Sequence, residues 1–384
     1  MPEYKNQHYV PQHFLRGWAY DEKISAYHLE DGAIPVKTSI SKVCSEDYLY
    51  GNPTHVEREL HKLEGLHQKP LDTLRNGGYL PDLTDWECLL LLSFITTQRT
   101  RSKSARKSID EGDELLREGI RDDLISGRYD DLVEWTSELT PEEKEATLVD
   151  ATTLGIHLEM IVLGIFGYHT LEDLEPVMLR NVADEEFVIS DTPIITDNPQ
   201  YKSERVVTGF AEPGLQLYCP IDPKRVLLLY DSAAYDIKSN SRRQVLLNSQ
   251  IAVDEVNLLQ FHTADNVVLH NSCSEEYLDR LASRMEEFRC RDQIIHELEV
   301  DGETRNVEGV PDFQMPAKSP DLPGLQMKSI ARRDQRSTTN AEKIQELTHQ
   351  IYEEASRAPD VAVIMAIRKM TGYVDSFGNN KAAD

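Results

Sequence analysis

The opening segment Lys5-Asn6-Gln7-His8-Tyr9-Val10-Pro11-Gln12-His13-Phe14-Leu15-Arg16 sets imidazole, amide and guanidinium groups among apolar and aromatic residues. A frayed terminus has no use for that mixture. A neutral imidazole can take up a proton or bind a metal near physiological pH, so His8 is a candidate acid, base or ligand. Capping or core hydrogen bonding would use the same two ring nitrogens. Gln12, four positions on, could orient a substrate or water if a helix began before Val10. Pro11 puts that start in question, and a buried amide partner is the plainer role.

Four further polar blocks carry comparable chemistry. Gln98-Arg99-Thr100-Arg101 follows a strongly apolar stretch, and the Arg99 fork of donors suits phosphate or carboxylate; an internal salt bridge would use it equally well. Ser190-Asp191-Thr192-Pro193 follows Phe187-Val188-Ile189, so Asp191 stands at an expected strand end, where a carboxylate can act on a proton, hold a hard metal or accept turn amides. Ser190 lacks a nucleophile elbow, which argues against a serine hydrolase. Glu57 and Glu64, seven residues apart, can share a helix face and contribute to a divalent-metal site, or can lie in solvent beside Arg58 and Lys62. Asn257, with Gln260, could bond a substrate or orient the opening segment. The candidate catalytic set is therefore His8, Gln12, Arg99, Asp191 and Asn257. Asp191, Glu57 and Glu64 are the candidate ligands of a divalent cation such as magnesium or manganese.

The elements that must position these residues can be read from periodicity. Gln12 to Trp18 predicts a short helix, and Lys23 to Leu29 an extended segment followed by an Asp31-Gly32 turn. Apolar spacing predicts helices from Thr54 to about Leu74, from Thr84 or Asp85 through the Arg99 block, and from Pro141 to Phe166. Asp110 to Leu139 is charged and predicts exposed helices and connections. Strands are expected at Glu186 to Ile189, Leu215 to Tyr218, Val226 to Tyr230 and Val267 to His270, with a helix over Gln244 to Gln260. Pro311, Pro316, Pro320 and Pro323 mark a connector, after which Thr338 to Ala355 predicts a helix and Val361 to Ile367 a strand. The expected fold is α+β: a helix-rich body with a small central mixed or antiparallel sheet. A main domain over 1–308, a connector over 309–337 and a helix-strand extension over 338–384 complete the expected organisation.

Composition narrows the function classes. The 384 residues, 40% of them apolar, can bury a core without disulfides or a structural metal. A formal charge of −26 argues against a protein whose whole surface grips nucleic acid. A local basic cleft could still bind phosphate. Cys44, Cys88, Cys219, Cys273 and Cys290 form no knuckle or redox pair by spacing, and their odd number fits reduced thiols. No Walker, dinucleotide or His-Glu-x-x-His pattern is present, and the run Arg289 to Arg291 is too short to assign nucleic-acid binding. Trp18, Trp86 and Trp135 read as packing residues rather than a base-stacking platform. With no basic leader and no apolar run of membrane length, a cytoplasmic location is expected.

His8-Tyr9-Val10-Pro11-Gln12, Gln98-Arg99-Thr100, Ser190-Asp191-Thr192-Pro193 and Asn257 with Gln260 together resemble a mainly bacterial family of uncharacterised proteins. Its marks are the opening His-Tyr-Val-Pro-Gln and a later Ser-Asp-x-Pro, in blocks spread over residues 5 to 270; here Thr192 replaces a common asparagine. The resemblance implies that the separated blocks converge, and it carries no activity with it. Two functions remain open. One is metal-assisted hydrolysis of a phosphoester, in a nucleotide or nucleic acid, with Asp191 and Glu57 or Glu64 on the ion, His8 moving the proton and Arg99 on the phosphate. The other is a noncatalytic module that binds a phosphorylated small molecule, nucleic acid or protein partner.

Overall fold

The computed structural model describes residues 5–33, 37–51, 54–111, 141–200, 210–288, 295–300, 303–308, 316–328, 338–355 and 358–379. Its centre is a mixed sheet built from strands β6 (Glu175–Asn181), β8 (Ile195–Asp197), β9 (Gln216–Asp222), β10 (Arg225–Tyr230) and β12 (Gln244–Leu247). Their order is β12-β6-β10-β9-β8, parallel between β12 and β6 and antiparallel elsewhere. Side chains alternate across each strand, so both faces of this sheet can be buried only if both are apolar. They are: Leu227 and Leu229 of β10 join one core, whereas Val226 and Leu228 join a second.

The first core is mostly helical. It packs α2 (His55–Arg75), α3 (Asp85–Thr100), α5 (Pro141–Phe166) and α9 (Pro359–Asn379) around Phe94, Ile95, Ile161 and Phe166. Thr84 caps α3 by accepting the Glu87 backbone N–H, and Glu87 returns the bond to Thr84, closing a capping box. Between α3 and α5 lies the short α4 (Lys103–Glu111). The helix α8 (Thr338–Glu354) precedes α9.

The second core lies between the central sheet and α6 (Gln250–Thr263) with α7 (Glu275–Arg284). A smaller sheet pairs β2 (Lys23–His28) with β3 (Gly32–Ala33), β4 (Thr38–Ser39) and β13 (Val267–His270), and β13 with β7 (Ile189–Ser190). The opening segment is tied in by β1 (Asn6–His8), which pairs with β5 (Ser45–Asp47), and by the one-turn helix α1 (Gln12–Leu15). Buried Trp18 links the two cores by donating its indole N–H to the Phe187 carbonyl at 2.8 Å.

Three expectations change. Gln244–Leu247 is a strand and the helix begins only at Gln250, because that short apolar run completes the central sheet instead of extending α6. Val361 to Ile367 is helical, inside α9: Ala362, Val363, Ala366, Ile367 and Met370 are buried at helical spacing, and packing on α2 and α5 overrides their strand propensity. The sheet expected over Glu186 to Ile189 narrows to Ile189–Ser190, since the preceding main chain bonds to side chains of α6. Residues 112–139 of the charged segment, 309–315 and 329–337 of the connector, Arg289 to Arg291 and Trp135 lie outside the described residues.

Helices α3 and α5 meet closely at Gly164, whose carbonyl accepts the Thr96 hydroxyl at 2.6 Å. A Cβ there would stand 3.0 Å from the Thr96 carbonyl oxygen and against the Thr100 hydroxyl. Gly164→Ala is expected to destabilise the fold by about 1–3 kcal/mol through overpacking. Urea unfolding measures it, and an unchanged midpoint would show that the crossing has slack.

Candidate functional site

The guanidinium of Arg101, the residue after α3, lies 3% exposed and uses three of its nitrogens on protein acceptors. Its Nη1 meets the Glu64 carboxylate at 2.7 Å, its Nη2 donates to the His8 carbonyl at 2.6 Å, and its Nε donates to the Tyr50 hydroxyl at 3.2 Å. The guanidinium also lies over the Tyr50 ring, 5.5 Å from its centroid. The two carboxylates predicted to share a face of α2 do so and are buried, Glu57 at 2% exposure and Glu64 at 9%. Glu57 accepts the His8 backbone N–H, yet its Oε2 is buried with no hydrogen-bond partner. Burial raises the Glu57 pKa to about 7, with Glu64 adding to the rise and Arg101 opposing it.

His8 is buried, and burial lowers its pKa. Its Nε2 lies 3.2 Å from the Ile40 carbonyl, an acceptor only, so Nε2 carries the proton and Nδ1 keeps the free lone pair. This centre meets the surface where exposed His61 lies 3.6 Å from Glu64. His8, Glu57 and Glu64 are thus brought together, around an arginine two residues on from Arg99. The available signal was register: Phe94, Gln98 and Arg101 follow one buried stripe of α3 and its exit.

The other candidates serve the fold. Arg99 donates to the Ile194 carbonyl at 3.1 Å and to Thr196 at 3.5 Å. Asp191 lies close enough to Tyr9 and Cys44 to raise the pKa of each, though burial is the larger cause in both. Its carboxylate takes the backbone N–H groups of Asp265 and Asn266 at 2.9 Å each and of Val267 at 3.3 Å. Burial raises its pKa to about 6 against those three bonds. Asn257 accepts from the Val188 N–H at 3.1 Å and donates to the Glu186 carbonyl and the Tyr277 hydroxyl, both at 2.9 Å. Gln260 accepts the Ser190 N–H at 2.8 Å and donates to the Pro193 carbonyl at 3.0 Å. These two amides replace a neighbouring strand along 186–193. Gln12 opens α1, half-buried, and its side chain takes no part in the bonds around Arg101.

A second group was not foreseen. Glu186, His270 and Cys273, all buried, hold one ligand atom each within 4.8 Å of one another, forming a potential metal-binding cluster. The only sequence signal is the two-residue gap between His270 and Cys273.

Residues 6–274 match the family described as protein of unknown function DUF4238. The chain belongs to this family. The DUF4238 region holds the Arg101 centre, Asp191, Asn257 and the Glu186, His270 and Cys273 cluster, and ends before α7, α8 and α9. No curated protein and no solved structure matches the chain. Among the described residues, no helix is long and apolar enough to cross a membrane.

Two stability measurements follow from these bonds. Asp191→Ala leaves three main-chain donors of the 265–267 turn without an acceptor, and is expected to cost about 3 kcal/mol at neutral pH. A loss below about 0.5 kcal/mol in urea unfolding would refute that role. Glu57 has a folded pKa above its usual 4.5, so its contribution is complete below that pH and is lost as pH rises through about 7. Glu57→Gln should therefore match wild type near pH 4 and exceed it at pH 8 by about 3–4 kcal/mol, the equivalent of the rise from 4.5 to about 7 at about 1.4 kcal/mol per unit. Parallel stability curves across that window would contradict the buried, neutral acid.

Proposed function

We propose that the protein is a phosphoester hydrolase whose acid–base centre is His8, Glu57, Glu64 and Arg101. The observation that carries this reading is the Glu57 carboxyl: buried, partnerless at Oε2, and held near pKa 7 beside an ionised Glu64–Arg101 pair and a neutral imidazole. Carboxyl groups set in environments that separate their ionisation suit opposite roles in proton transfer. In the proposed step His8 Nδ1 takes a proton from the attacking water, while neutral Glu57 gives one to the leaving oxygen. Arg101 and Glu64 fix both groups.

The phosphoester preference rests on local charge. From Arg99 to Lys107 the chain carries five cations and no acid, inside a protein of net charge −26. Lys103 and Lys107 are about half exposed in this run, paired with Glu46 at 3.0 Å and Asp265 at 3.1 Å. An anionic substrate such as a nucleotide or a short stretch of nucleic acid would be drawn there and released by salt. The Arg101 guanidinium supplies the positive charge beside Glu57 and Glu64 that magnesium or manganese would otherwise bring. The competing reading, a noncatalytic binding module that recognises an acidic group through Arg99, has to share that guanidinium with the Ile194 carbonyl and Thr196.

Turnover on a panel of nucleotides, activated diesters, RNA and DNA, with and without divalent ions, separates the two. Glu57→Gln and His8→Ala are each expected to lower kcat by about 10²-fold or more with folding retained. Wild-type activity should fall as pH rises through about 7, where the Glu57 proton is lost, and this limb should vanish in Glu57→Gln. No product from folded protein, alongside specific salt-sensitive binding of a nucleotide, would replace the hydrolase with the binding module.

A further inference from the structure

The turn after β13 assembles a second constellation, separate from the Arg101 centre in both residues and chemistry. His270 ends β13, and residues 271–274 turn the chain into α7, where Ser274 caps the helix by accepting the Tyr277 N–H at 3.2 Å. Glu186 reaches this turn from the segment before β7. Its Oε1 accepts the backbone N–H groups of Asn271 at 2.6 Å and Ser272 at 2.7 Å, and its Oε2 accepts the Ser272 hydroxyl at 2.8 Å. Asn257 fixes the main chain of Glu186 from α6. The carboxylate is therefore held by the turn through three hydrogen bonds to its oxygens and by Asn257 through its backbone, and Oε2, which accepts only the Ser272 hydroxyl from this turn's oxygen and nitrogen donors, is the oxygen with a lone pair for an ion.

Two partners converge on it. His270 is 7% exposed and its Nδ1 is buried with no hydrogen-bond partner, an uncompensated cost for a polar atom in a strand-end position. Cys273 is 8% exposed, and its thiol is hydrogen-bonded to Glu186. One nitrogen, one sulfur and one oxygen thus lie within 4.8 Å of one another. Tetrahedral zinc with bonds of about 2.0–2.3 Å needs donor separations of about 3.4–3.8 Å, within reach of side-chain rotation. The donors come from a rigid strand end, a capped helix start and a bonded carboxylate, so closing on an ion requires no backbone rearrangement.

We propose that Glu186, His270 and Cys273 form a binding site for one zinc-class divalent ion. Thiolate and imidazole select a borderline-soft metal over magnesium, calcium or manganese. Three protein donors leave the fourth tetrahedral position to water or an exogenous donor. The His-x-x-Cys turn supplies two ligands from one short loop, and Glu186 supplies the third, so the ion would clamp β13, α7 and the segment before β7 together. Binding displaces the Cys273 proton to solvent, and the Glu186 carboxylate with the resulting thiolate balances the charge of the ion.

The test uses the full chain, stripped of metal with a chelator and titrated with cobalt(II) and then zinc. Expected are one ion per chain, a cobalt–thiolate charge-transfer band with the strong visible absorption of tetrahedral cobalt, and displacement of that spectrum by zinc. Cys273→Ser should abolish the thiolate band. Cys44, Cys88, Cys219 and Cys290 remain in that variant and serve as internal controls. Glu186→Gln keeps an oxygen for the Asn271 and Ser272 amides, so it should fold as wild type while weakening zinc binding at least tenfold. Absence of the thiolate band in folded wild type would overturn the proposal, as would a band that persists in Cys273→Ser. Unchanged zinc affinity in folded Glu186→Gln would remove the carboxylate and, with it, the three-donor site. Because none of these readouts is turnover, they stand or fall apart from the hydrolase reading.

Discussion

A buried guanidinium sets the terms for the helical half of this protein. Taking Arg101 out of water costs several kcal/mol unless its donors and its charge are both met. Glu64 meets the charge, while the His8 carbonyl and the Tyr50 hydroxyl meet the remaining directions. Those partners come from α2, from the opening strand and from the loop after β5, so one side chain fixes three segments that are remote in sequence. The consequence for Glu57 is indirect but chemically larger. It shares a face of α2 with Glu64 but does not own the ion pair, and so is left as a carboxyl in a low-dielectric site with one oxygen unpartnered.

The sheet-rich half solves a different problem. A sheet apolar on both faces needs cover on both sides, and the protein supplies helices α2, α3, α5 and α9 on one side and α6 with α7 on the other. Between the layers, main chain that pairs with no strand must still bond to something. Polar side chains do this work: Asn257 and Gln260 along 186–193, Asp191 at 265–267, Glu186 at 271–272 and Trp18 at Phe187. Buried polar residues are therefore abundant here for reasons of folding. At the Arg101 centre and the His270 turn an atom is left over beside other titratable groups, Glu57 Oε2 near Glu64 and Arg101 in one and His270 Nδ1 near Glu186 and Cys273 in the other.

Much of the architecture was legible without coordinates. The helix start at Thr84 or Asp85, the helical apolar spacing of α2 and the strand at Val267 to His270 follow from local rules, and they stand within a residue or two of expectation. The shared face of Glu57 and Glu64 was legible as well, since a seven-residue gap sets it once α2 forms. Local rules failed where burial decides the outcome. Val361 to Ile367 reads as a strand by composition and is a helix because α2 and α5 offer it a helical groove, and Gln244–Leu247 leaves the helix because β6 offers it a parallel partner.

The same boundary divides the site. Sequence alone determined that His8, Glu57, Glu64, Arg99, Asp191 and Asn257 carry the chemistry-bearing groups, since side-chain type is a property of each position. Which of those groups is spent on the backbone and which is left over depends on distances between segments, and no spacing rule encodes those. Tertiary structure therefore decided that Asp191 holds the 265–267 turn and Asn257 the segment before β7, that Arg101 rather than Arg99 joins the carboxylates, and that Glu186 meets His270 and Cys273 beside the β13–β7 pairing. The physical reason is that a hydrogen bond or an ion pair acts over about 3 Å, whereas the residues it joins stand tens of positions apart along the chain.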